Sequence, residues 1–235
     1  FYDDEIHTPE GKKPYEKPRE LQDDELPGIV AGFRRAAENA LAAGFDGVEV
    51  HGANGYLLDQ FLRDGSNRRT GPYGGPVRNR ARLLLEVVDA VVAVWSPGRV
   101  GVRISPLNSF NDMRDSDPVG LTRYVAGELD RRGIAFLDLM RGDFFGVQKG
   151  DIVSAARGAF RGALLGGMGF SPAEAASAVH SGTFSAIVFG HHFISNPDLV
   201  ARVKAGVPLV EPDQATFYSP GPAGYTDYPS LEPQP

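Results

Sequence analysis

Between residues 21 and 205 the apolar positions follow two alternating rhythms. Ile29, Val30, Phe33, Ala36, Ala37, Ala40 and Leu41 recur at helical spacing and stop before Gly44, which predicts a helix. The short apolar run Gly47–Val50 follows and ends at His51, which predicts a strand. The same alternation then repeats. Helical spacing runs through Ala81, Leu84, Leu85, Val88, Val91 and Val92, and a strand covers Arg99–Ser105. A third helix holds Leu121, Tyr124, Val125 and Leu129 and ends at Gly133, before the strand Ile134–Leu139. A weaker helix near 149–158 leads to the strand Ala163–Gly166. Ser171-Pro172-Ala173-Glu174 opens another helix, with capping-box spacing and proline at its first position. Ser185–Phe189 is the last strand, and Asn196-Pro197 starts a final short helix. Five short apolar strands separated by helices predict an α/β fold with a parallel sheet covered on both faces.

The two ends break this rhythm. Residues 1–20 hold Pro9, Pro14 and Pro18 among many charges, and read as an irregular N-terminal arm. Residues 206–235 are proline-rich yet carry Phe217, Tyr218, Tyr225 and Tyr228. So aromatic a tail is expected to be extended and laid over the body formed by residues 21–205. Lysines and arginines number 24 against 30 acidic residues, a net charge of −6, which argues against a general nucleic-acid binder. Cysteine is absent, so the chain has no disulfide, thiolate nucleophile or iron–sulfur ligation of its own. No apolar run reaches the ~18–20 residues that span a bilayer, and no membrane partner is expected. No secretory signal is visible in the polar first 25 residues, so a cytoplasmic location is expected.

Parallel α/β folds do their chemistry at the C-terminal ends of the strands. The first predicted strand is followed by His51-Gly-Ala-Asn54-Gly-Tyr56, and the second contains Arg103. Met140-Arg141-Gly-Asp143 follows the third, Gly166-Gly-Met-Gly169 the fourth, and Gly190-His191-His192 the fifth. The last two clusters suit an anion, because glycines let backbone N–H groups approach phosphate; tight turns alone would use glycine in the same way. His51 could equally be a buried histidine with satisfied hydrogen bonds, and Tyr56 ordinary core. An arginine inside a strand needs a partner, because an unpaired buried charge is costly. His51, Asn54 and Tyr56 make a poor metal set, since asparagine and tyrosine at that spacing are weak ligands and no carboxylate adjoins them in sequence; no metal is expected. No Gly-x-Ser-x-Gly elbow supports a serine hydrolase.

Read in order, the segments Gly44–Phe61, Asn67–Arg80, Val102–Pro106, Gly190–Leu199 and Gly224–Leu231 resemble the Old Yellow Enzyme family of FMN-dependent ene-reductases. They are most similar to its branch containing pentaerythritol tetranitrate reductase and the plant oxophytodienoate reductases. The resemblance implies a (β/α)8 TIM barrel, of which this chain supplies about strands four to eight with their helices. It implies FMN as cofactor, NADPH or NADH as reductant, and a small-molecule substrate with an activated alkene or nitro group. It places His51 and Asn54 on the substrate's acceptor oxygen, where two donors stabilise the charge that develops as hydride arrives from flavin N5. It makes Tyr56 the proton donor to the α-carbon, sets Arg103 beside flavin N1 and O2, assigns the phosphate to Gly169, Gly190 and His191, and puts Tyr218 on the substrate pocket.

The sequence departs from that family in two places that matter. Strands one to three have no counterpart here, and a barrel without them leaves two sheet edges unpaired. An upstream segment or a partner chain is therefore expected to complete the barrel. The competing reading is a catalytically silent or split fragment acting as a subunit that needs such a partner. His191 stands where the family usually has arginine. A histidine offers fewer donors, so weaker FMN binding that strengthens in mildly acid solution is expected.

Overall fold

The computed structural model describes residues 5–8, 10–14 and 18–231. The rest of the N-terminal arm and residues 232–235 of the tail lie outside the described residues. Two short strands come first, β1 (Glu5–Thr8) and β2 (Gly11–Pro14), paired antiparallel with Thr8 opposite Gly11. The arm that reads as irregular is thus in part a hairpin. Because β2 is exposed along its whole length, it has no buried face and no alternation for a sequence to display.

The chain continues through α1 (Leu26–Ala42), β3 (Val48–Gly52), α2 (Leu57–Leu62), α3 (Val77–Arg80) and α4 (Arg82–Trp95) to β4 (Val100–Ile104). After these come α5 (Pro118–Arg132), β5 (Phe136–Met140), α6 (Ile152–Ala159), β6 (Ala163–Gly167), α7 (Pro172–His180), β7 (Ala186–Val188), α8 (His191–Ser195) and α9 (Leu199–Ala205). Strands β3 to β7 form one five-stranded sheet in chain order, with every neighbouring pair parallel. Among the described residues β3 and β7 each have one paired neighbour, so the sheet is an open arc of a β/α barrel.

Local chemistry sets the helix ends. Asp117, Asp151 and Ser171 cap α5, α6 and α7 by accepting from Gly120, Ser154 and Glu174 N–H groups. Gly133, at φ +65°, closes α5 in the left-handed conformation that glycine adopts without strain. The core lies between the sheet and the helices, where Val50, Val102, Leu137, Leu139 and Leu164 point and are buried. Burying one such side chain is worth about 1.5–3 kcal/mol. Trp95 ties α4 to α1 by donating to Ala37 O at 2.9 Å.

The other sheet face corrects one expectation. The strands are not apolar on both sides: Glu49 and His51 alternate with Val48 and Val50, and both are exposed. Arg103 and Asp138 follow on the same face, because His51 is in register with Arg103 and Arg103 with Asp138. The helices thus cover one face, and the inner face of the arc carries charge.

The tail crosses back over α8 and α9. Fully buried Asn196 accepts from Val210 N–H and donates to Val210 O, both at 2.9 Å. Arg202 donates to Pro229 O at 3.0 Å, and Leu231 N–H donates to Asp198 at 2.6 Å.

Candidate active site

The C-terminal end of β3 is shaped by a reversal of the backbone. Asn54 and Gly55 both take positive φ, +59° and +73°. A Cβ on Gly55 would stand 2.7 Å from Asn111 Cβ, so glycine is required there by conformation and by space. The reversal brings Tyr56 back over the strand end, with its ring centroid 5.6 Å from that of His51. Gly52 lets β3 approach α4 and β4, since a Cβ there would lie 3.1 Å from Arg103 O and 3.2 Å from Leu84 Cδ1.

A buried ion pair holds this turn. Asp59 on α2 accepts from Gly55 N–H at 2.9 Å and from Arg63 Nε at 3.0 Å. Arg63, fully buried, donates on to Ser105 O at 2.7 Å, to Asn108 O at 2.8 Å and to Pro106 O. Ser105 Oγ in turn accepts from Asn54 N–H at 2.7 Å. The loops after β3 and β4 are thereby one unit, and Asp59 is a carboxylate close enough to act on His51 although it is remote from the histidine in the motif.

The Asn54 amide has a defined orientation. Its Oδ1 accepts from Asn108 Nδ2 at 2.9 Å, which leaves its NH2 free to donate. The His51 ring and the Tyr56 hydroxyl make no hydrogen bond among the described residues. Burial, and after it the Arg103 guanidinium, holds the His51 imidazole below the usual histidine range. A neutral imidazole offers one N–H donor at neutral pH.

Arg103 stands on the next strand, in register with His51, and Asp138 faces it with 3.4 Å between Nε and Oδ2. This is the partner that an arginine inside a strand requires. The glycine clusters divide by role. Gly166 is structural, since a Cβ there would meet the Phe184 ring at 2.9 Å. Gly169 (φ +67°) and Gly190 have open space above them. Arg141 turns the Met168 and Gly169 carbonyls toward itself at 3.0 and 3.1 Å, and lies 3.5 Å above the Phe170 ring. The N–H groups of Gly169, Gly190 and His191 have no partner among the described residues, so three donors line the ends of β6 and β7. Such a donor set fits a phosphate.

His51, Asn54, Tyr56 and Arg103 therefore share the rim of β3 and β4, and Gly169, Gly190 and His191 the rim of β6 and β7. Tyr218 is not gathered with them: it is 97% exposed and makes no hydrogen bond or ring contact with any of them. The tail aromatic that does approach this rim is Phe217, whose ring lies 5.9 Å from that of His191. Sequence reasoning missed Asp59, Arg63 and Asp138; the visible signal was a lone aspartate inside each of two apolar stretches, Leu57–Leu62 and Phe136–Met140.

A model of the NADH:flavin oxidoreductase / NADH oxidase family matches residues 3–210. A Leishmania infantum protein named as a probable flavin mononucleotide-dependent alkene reductase is 56% identical over 219 residues, covering 93% of this chain and 60% of that protein. The 12-oxophytodienoate reductase 1 of Oryza sativa subsp. japonica is 42% identical over 224 residues, covering 93% of this chain and 59% of that one. The solved structure of the old yellow enzyme from Trypanosoma cruzi superposes with a TM-score of 0.92 at 42% identity, covering 94% of this chain and 60% of that chain. The chain thus spans about three-fifths of the length of these relatives, and its five-stranded arc is a partial (β/α)8 barrel.

Proposed function

Because the chain belongs to the NADH:flavin oxidoreductase / NADH oxidase family, we propose that it is the catalytic part of an FMN-dependent ene-reductase that reduces activated C=C bonds of enones or nitroalkenes at the expense of NADPH or NADH. When bound, FMN supplies the hydride. The neutral His51 imidazole and the Asn54 NH2 donate to the substrate's carbonyl or nitro oxygen and stabilise the negative charge that gathers there. The Tyr56 hydroxyl gives its proton to the α-carbon. Arg103 supplies a fixed cation that favours an anionic flavin, and the free N–H groups of Gly169, Gly190 and His191 receive the phosphate.

One observation carries this reading: the Asn54–Gly55 reversal puts Tyr56 over His51 while Asn108 fixes the Asn54 amide with its donors free. The outer edges of β3 and β7, unpaired among the described residues, are where strands from another segment or chain would complete the barrel. No helix among the described residues is long and apolar enough to cross a membrane. The proposed reductant is an intracellular metabolite, which supports a cytoplasmic site of action.

Tyr56→Phe tests the assignment, because it removes the proton donor and leaves hydride supply intact. In the FMN-loaded protein, flavin bleaching by NAD(P)H should keep its rate, while turnover of a cyclic enone should fall by ~10²–10⁴. Equal loss in both half-reactions, or none in either, refutes the role of Tyr56.

A further inference from the structure

Strand β5 reads Phe136-Leu-Asp138-Leu-Met140, a single carboxylate in an otherwise apolar strand. Asp138 is 2% exposed and lies in register with Arg103. Their closest approach, 3.4 Å between Nε and Oδ2, is a contact ion pair rather than a hydrogen bond, and both Arg103 Nε and Asp138 Oδ1 are buried without a hydrogen-bond partner. Gly167, on the far side of β5, keeps the adjoining space open. A Cβ there would sit 3.6 Å from Asp138 Oδ1 and 3.9 Å from Arg103 Nη2. The guanidinium therefore reaches from β4 across β5 toward β6, over the Asp138 carboxylate. Its two Nη groups hydrogen-bond nothing among the described residues.

A pair built for stability alone would close into a bidentate bridge, since a buried charge otherwise costs more than an apolar residue of the same size. This pair leaves the arginine's outer donors free. The other charged or titratable groups on this face are Glu49 and His51 of β3. Asp138 acts on Glu49, raising it together with burial, and Arg103 helps to lower His51. Asp138 is itself pushed up by burial and drawn back by Arg103.

We infer that Asp138 is a positioning residue for Arg103: it aims the guanidinium across the inner face with both Nη groups free for the flavin, and its charge limits the positive field felt there. The inference rests on the flavin reading above. It makes a prediction that a purely structural carboxylate would not. Asp138→Asn keeps the shape but removes the opposing charge, so the Arg103 field strengthens and reduced, anionic flavin is favoured.

The test equilibrates the FMN-loaded protein with a redox dye at fixed pH and reads the ratio of reduced to oxidised flavin. D138N should raise that ratio about tenfold or more, with affinity for oxidised FMN within about threefold of the parent. Arg103→Gln is the control and should lower it. If R103Q leaves the ratio unchanged, the placement of Arg103 beside the flavin fails, and this inference with it. If R103Q lowers the ratio and D138N matches the parent, only the role of Asp138 fails. If D138N does not load FMN, Asp138→Glu, which restores the charge, should load it with the parent ratio; failure of both variants to load makes the carboxylate merely structural and overturns the inference.

Discussion

Arg63 is the side chain on which the candidate site's geometry depends most. It is fully buried: no water reaches it, one carboxylate neutralises it, and three backbone carbonyls, of Ser105, Pro106 and Asn108, each accept from one of its N–H groups. Arg63→Met keeps most of the volume and removes all of these donors. Asp59 is then a buried carboxylate with only Gly55 N–H and Ser105 Oγ against it, and removing one partner of such a pair costs about 3–5 kcal/mol. Asp59→Leu alone strands the buried Arg63 charge at a similar cost, whereas the double variant Asp59→Leu/Arg63→Met buries no orphaned charge and should lose less than R63M alone, a coupling of at least about 3 kcal/mol. Arg34–Glu38 supplies the internal control. Both side chains are at least half exposed, and Arg34→Met should change stability by no more than about 0.5 kcal/mol. Urea unfolding followed by far-ultraviolet circular dichroism measures the parent and all four variants. A loss below about 1 kcal/mol for R63M, or a double variant as unstable as the sum of its parts, would refute the claim that this ion pair holds the β3 and β4 loops.

Two further outcomes follow from the same geometry. Gly55→Ala forces a Cβ into the left-handed turn and 2.7 Å from Asn111 Cβ, so it should cost about 1–3 kcal/mol and slow enone turnover more than flavin bleaching by NAD(P)H, because Tyr56 hangs on that turn; equal slowing of both would count against it. His51, held low by burial and Arg103, stays neutral in the folded protein where the unfolded chain already takes a proton. Its contribution to stability is therefore complete above the ordinary histidine value of ~6.5 and falls as pH drops toward the depressed folded value. His51→Gln should flatten the unfolding free energy between about pH 5 and 7, and an unchanged slope would show that His51 does not titrate as proposed.

What could be read from the chain alone was what repeats locally. Helical spacing located α1, α4 and α5, the capping sequence at Ser171–Glu174 located α7, and short apolar runs located β3 to β7, because a helix or strand shows its buried side every few residues. His51, Asn54 and Tyr56 stand together at the end of β3 because they lie within six residues of chain, a closeness already visible in the motif. Strand β2 of the hairpin escaped because it is exposed along its whole length and has no buried face to display. Helix α2 escaped because it is short and carries a buried Asp59 among its leucines. The family resemblance puts Tyr218 on the pocket, whereas the tail ring that turns toward His191 is that of Phe217.

The deeper misses are of one kind. Arg103 announces in sequence that a partner exists, yet that partner, Asp138, stands on the next strand, and Arg63 takes carbonyls from more than forty residues away. A buried charge is satisfied by whatever the sheet places beside it, and only register decides what that is. The inner face of the arc makes the consequence chemical. Because β3, β4 and β5 run parallel and in register, one residue from each strand, His51, Arg103 and Asp138, falls in a single row. A shift of β5 by one residue would turn Asp138 into the helix layer and set Leu137 or Leu139 beneath Arg103, leaving the guanidinium beside hydrocarbon with its field unopposed. The sheet register, rather than any motif, thus fixes both the direction in which Arg103 points and the charge it faces.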